Sequence, residues 1–158
     1  MTEAALLQAD APFVHVLPGT PEQAYALTER LSSNIMLKVA ARTLRGSKMT
    51  CAEKVFDEFA AALQFPPYFG YNFDALFDCL TDLAWIPADA YILVVWDAEV
   101  LWRKDPTAFE MTLRTLRDAA ASWAGDAVPF HTVVQCAPEH EIDMLEQLNK
   151  SGPHRGGP

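Results

Sequence analysis

Two periodicities alternate along this chain. Short apolar runs at residues 13–17 (FVHVL), 35–44 (IMLKVAARTL), 91–96 (YILVVW) and 130–136 (FHTVVQC) read as strands. The run at 91–96 is unbroken, as expected of a strand buried on both faces of a parallel sheet. Between these runs apolar residues recur at helical spacing. Thr20, Pro21 and Gln23 open a helix to about residue 31, with Thr20 as N-cap, Pro21 at the first position and Gln23 completing a capping box. Thr50 and Glu53 repeat the capping-box signature before a helix that carries Val55, Phe56, Phe59, Ala60 and Leu63. Pro66 and Pro67 stop that helix. A loop at 68–71 bends at Gly70, Asn72 caps the next helix, and Pro87 ends that segment. Asp105 and Pro106 open a long amphipathic helix to about residue 124, and a last helix is expected over 139–149. Residues 1–11 read as a loose leader, and 151–158 as a disordered tail of turn-forming composition. Strands separated by helices predict an α/β layer with a parallel sheet, in one domain over residues 1–150.

The helix after Asn72 is amphipathic in an uncommon way. A helix turns about 100° per residue, so Leu76, Leu80 and Leu83 gather on one side with Phe73 and Cys79 beside them. Asp74, Asp78, Thr81 and Asp82 take the opposite side, and Phe77 falls at the border. Three aspartates at four-residue spacing repel one another by a few tenths of a kcal/mol per pair, at about the cost of a like-charge helix pair. One reading is a solvated helix face with an aromatic at the core edge. The other is half of an interface, where an aromatic anchor excludes water around a charged contact. Asp118, in the long helix, reads as a solvent-facing residue.

Charge sharpens the second reading. Of 158 residues 51% are hydrophobic, enough for a sizeable core, and the net charge is −9. Residues 55–102 hold eight acids and no Lys or Arg. Nucleic acid is a poor partner for such a chain, since phosphate binding needs a basic footprint. A basic protein or a cation fits better. There is no apolar run of about 18 residues for a membrane span and no basic n-region for a signal peptide, so the expected location is cytoplasmic. Cys51, Cys79 and Cys136 lack CxxC spacing and read as free thiols. His15 and His131 fall in expected strands as structural histidines, and no set of residues has metal-ligand spacing. No GxSxG elbow, phosphate loop or HExxH motif is present, so neither catalysis nor a cofactor is expected.

The segment PPYFGYNFDALFDCLTD, residues 66–82, resembles the signature of the barstar family, the intracellular inhibitors of barnase-type ribonucleases. The match is in kind and order: Pro, Tyr, aromatic, Gly, any residue, Asn, apolar, Asp-Ala-Leu, aromatic, Asp-Cys-Leu-Thr. The similarity covers about residues 34–137. It implies a barstar-like three-layer fold with a three-stranded parallel sheet, to which the strand at 13–17 could add a fourth at the edge. The strand and helix at 13–31 and the last helix have no counterpart in the minimal inhibitor.

The resemblance also implies a site. Asp78 would be the central mimic of an RNA phosphate and Asp74 a second acid at the rim. Tyr68 would pack against the catalytic His of the ribonuclease, Asn72 and Thr81 would hydrogen-bond nearby, and Asp118 would face the enzyme from the later helix. Phe77 and Leu83 stand where the family has interface tryptophans, and Tyr71 replaces an acid. The expected function is a ribonuclease inhibitor or immunity protein, an antitoxin that blocks a basic ribonuclease or another basic toxin with its acidic helix face. Two alternatives are an enzyme or small-ligand protein that binds a cation on the acid row, and a general protein-interaction module.

Overall fold

The computed structural model describes residues 1–151. Four strands, β1 (Val14–Pro18), β2 (Val39–Arg45), β3 (Ala90–Trp96) and β4 (Phe130–Cys136), form one all-parallel sheet in the order β1-β4-β3-β2. The helices are α1 (Glu3–Leu6), α2 (Pro21–Ser32), α3 (Ala52–Leu63), α4 (Phe73–Asp82), α5 (Glu99–Lys104), α6 (Pro106–Gly125) and α7 (Glu141–Lys150). The sheet is buried on both faces, and its residues alternate between them with period two. Tyr91, Leu93 and Val95 of β3 join the core under α3, α4, α6 and α7. Ala90, Ile92 and Val94 join a second core under α1 and α2.

Crossover handedness explains this division. From β2 to β3 to β4 the chain steps across the sheet in one direction, so right-handed crossovers put the intervening helices on one face. From β1 to β2 it crosses the whole sheet in the opposite direction, so α2 must lie on the other. β1 thereby takes the edge beside β4, in register from Val14 opposite Thr132 to Pro18 opposite Cys136.

Most expected boundaries hold to within a residue or two, and the departures have local causes. The leader is not loose as far as it was expected to be: Thr2 caps α1, Leu6 is fully buried under the sheet, and Glu3 pairs with Arg30 at 2.6 Å. The strand expected from residue 35 begins at Val39. Asn34 Oδ1 accepts from the N–H groups of Met36 and Leu37 at 2.9 and 2.8 Å, and this turn leaves Ile35 95% exposed. The Thr50 capping box does not form: Cys51 is the N-cap of α3, with no side-chain bond. The last helix starts after a 3₁₀ turn over Pro138–His140 rather than within it. α5 had no sequence expectation. The expected disorder of 151–158 lies outside the described residues except for Ser151, whose carbonyl accepts from Arg117.

Candidate functional site

α4 is placed by its two ends. Asn72 Oδ1 accepts from the Ala75 N–H at 2.7 Å, as an N-cap should, while its Nδ2 donates to Gly70 O at 3.3 Å. At the other end the helix stops at Asp82, not at Pro87. Leu83 turns left-handed with φ 48° and directs its side chain inward, where it is 1% exposed. Leu76, Cys79 and Leu80 are buried beneath the helix. Two indoles fix the neighbouring helices: Trp123 Nε1 of α6 donates to Leu80 O at 2.8 Å, and Trp85 Nε1 to Leu63 O at 2.7 Å.

The loop before α4 is anchored by alternation. Phe69 is buried against Phe65 and Phe56, with ring centroids 4.9 and 6.2 Å away. Its neighbour Tyr68 therefore points to solvent and is 71% exposed. The bend expected at Gly70 falls at Tyr71 instead, which takes the left-handed region with φ 50°.

Asp74, Asp78 and Asp82 are exposed along one flank of α4, and none has a Lys, Arg or His partner within 4.0 Å among the described residues. Their field reaches their neighbours. The Cys79 thiol is pushed up from its ordinary value by burial first, then by Asp78 and Asp82. The Tyr68 phenol is also raised, by partial loss of water around it and then by Asp82 and Cys79.

α4 and α6 enclose an open groove of about 590 Å³. Phe73, Asp74, Phe77 and Asp78 line it from α4, and Arg114 and Asp118 from α6. The tertiary structure thus brings Asp118 to Asp74 and Asp78 from 44 and 40 residues away in the chain. Phe77 is half-buried on the groove wall. Tyr68, Asn72 and Thr81 lie outside this groove, on the loop and on α4. Thr81 is half-buried, and its hydroxyl donates to Phe77 O at 2.9 Å, as the side chain of a mid-helix Thr commonly does.

Arg114 was missed as a groove residue. It pairs with Glu110 one turn earlier at 3.6 Å, so three carboxylates face the groove against one cation that already has a partner. The i,i+4 series Glu110-Arg114-Asp118 puts these side chains on one flank of α6, but no local pattern shows that this flank meets α4. Leu83 is buried, as its place on the core side of the helix predicts, so the position where the family has an interface tryptophan is out of a partner's reach.

Chemically, this arrangement suits recognition of positive charge by an acidic groove and helix flank with an aromatic at the edge. Among the described residues no three His, Cys, Asp or Glu side chains gather closely enough to hold a metal ion, and no helix is long and apolar enough to cross a membrane. No curated protein matches the chain. The family model described as barstar (barnase inhibitor) matches residues 39–135, which run from β2 through the acidic helix to β4, so the chain belongs to the barstar family.

Proposed function

We propose that this protein is an inhibitor of barnase-type ribonucleases, acting in the cytoplasm by occlusion rather than by chemistry. α4 enters the basic active-site cleft of the enzyme, and Asp78, with Asp74 and Asp118, stands among the cationic side chains that would otherwise bind RNA phosphates. Tyr68 and Phe77 supply apolar contact that excludes water around those charges. Asn72 and Thr81 hold the loop and helix in place, with their remaining lone pairs at the rim of the contact.

The observation that carries this reading is the row Asp74-Asp78-Asp82, exposed, on a rigidly pinned helix, and without a cation among the described residues. A row of like charges costs stability in the free protein, so its natural complement is a positive surface in a partner. Buried charge contacts then slow dissociation.

Asp78→Ala tests this directly. Isothermal titration against a barnase-type ribonuclease should show binding weaker by about 2–5 kcal/mol, the cost of leaving a buried charge partner unpaired, while the far-ultraviolet spectrum and melting temperature stay close to wild type. Equal binding by the variant and the wild type would sink the role given to Asp78.

A further inference from the structure

A patch of seven residues is small for a stable complex. Specific interfaces bury about 800 Å² per partner and engage roughly 20–30 residues a side, so an enzyme seated on Asp78 must also rest on the surface around it. One flank of that surface is concave. α6 separates the acidic groove from a second cleft of about 770 Å³, and the exposed Arg114 and Asp118 line both. The far walls of this cleft come from outside the segment that matches the family. Phe13 and Val14 stand at the entry to β1, and Leu148 and Asn149 at the end of α7.

Those walls are fixed to the core. The Thr132 N–H donates to Phe13 O at 2.9 Å, and the Phe13 ring lies 5.9 Å from His131. The half-buried Arg117 of α6 donates to Leu148 O at 2.7 Å and to Ser151 O, which ties the end of α7 to α6. The lining is apolar at Phe13, Val14, Leu148 and Ala121, with charge at the exposed rim and at the half-buried Arg117.

We propose that this cleft is a second contact surface for the same ribonuclease, receiving an apolar side chain from a loop at the rim of the enzyme's active site. The proposal rests on the inhibitor reading above. Its ground is continuity: Asp118 stands on the ridge between groove and cleft, so a partner that reaches Asp118 from the acidic side is already at the cleft's mouth. A second copy of this chain fits less well, because a two-fold pair through the cleft would bring two acidic grooves together. The segments flanking the family core thus become specificity elements, which select among ribonucleases that the acidic helix alone would not distinguish.

The test uses the full chain, with barnase and other barnase-type ribonucleases as probes. Ala121→Trp and Asn149→Trp fill the cleft from opposite walls, and both positions are exposed, so neither disturbs the core. Ser122→Trp, exposed on α6 but outside the cleft, is the control. Surface plasmon resonance should show at least a tenfold faster dissociation for the two cleft variants and none for the control, with wild-type melting temperatures throughout. If the cleft variants dissociate like wild type while Asp78→Ala still weakens the complex, the second surface is overturned and the inhibitor reading stands. If Asp78→Ala binds like wild type, or no ribonuclease binds, both fall. Self-association abolished by the Trp variants would assign the cleft to a second copy and overturn the proposal.

Discussion

Asp74, Asp78 and Asp82 share a flank of α4 because a helix brings every fourth residue round to nearly the same side, and they remain exposed because Leu76, Cys79 and Leu80 claim the core side. Phe77 sits between the two and lines the groove beside the carboxylates, as Phe73 does. Gly46 is equally constrained in a different way. A Cβ there would lie 2.0 Å from Trp96 O and 2.6 Å from Asp97 O, both backbone atoms that cannot swing aside. Gly46→Ala should therefore destabilise the fold by about 3 kcal/mol, at the upper end of overpacking costs, measured by urea denaturation. A wild-type midpoint would show that the turn after β2 shifts freely.

The helices depend on their caps as much as on their apolar stripes. Asn72 closes the N-terminus of α4 through one short bond to the Ala75 N–H. Asn72→Ala should cost about 1 kcal/mol of stability by thermal denaturation, and it should also weaken ribonuclease binding, because the loop that presents Tyr68 is held by the same side chain. β1 depends on a histidine pair. His131 is fully buried, and its Nε2–H donates to Gln8 O at 2.7 Å, so its Nδ1 accepts from His15 Nε2 at 3.0 Å. Burial, then His131, then the N-terminal amine hold His15 down at about pKa 4, against the ordinary 6.5. The unfolded chain therefore binds more protons between these values. The His15 contribution to stability is complete above about pH 6.5 and is lost as the pH falls towards 4. The gap in melting temperature between wild type and His15→Gln should narrow across that window, and a constant gap would show that His15 does not titrate on unfolding.

Charge is segregated over the molecule. Residues 38–54 carry five of the twelve Lys and Arg, and residues 55–102 carry none. Association with a basic ribonuclease should accordingly slow by tenfold or more between low and high salt in stopped-flow measurements, as steered encounters do. Dissociation should change far less, because desolvated contacts are little screened. An association rate independent of salt would mean that the −9 net charge serves solubility alone. The topology sets where this charge is displayed. Successive right-handed crossovers stack α3, α4 and α6 on one face of the sheet, so that α4 and α6 form a groove, while α1 and α2 cover the opposite face without touching it.

Much of this was readable from local pattern, because strand and helix periods, capping residues and prolines act over a few residues. The acid flank, the N-caps Thr20, Asn72 and Asp105 and the strand at 91–96 all belong to that class, since each depends on backbone geometry that neighbours in sequence dictate. What failed was decided by competition over longer range. An apolar run from Ile35 looked like strand, but an Asn34 turn and the pairing limit of β3 moved its start to Val39. Leu83 is buried as its place among the core-side leucines predicts, but as a left-handed cap rather than a helical residue. Only the family resemblance put Asp118 with Asp74 and Asp78; the place of Arg114 beside them, and the cleft that the two added termini build behind them, could not be read from the chain, because helix packing and crossover handedness bring together residues that no local period connects.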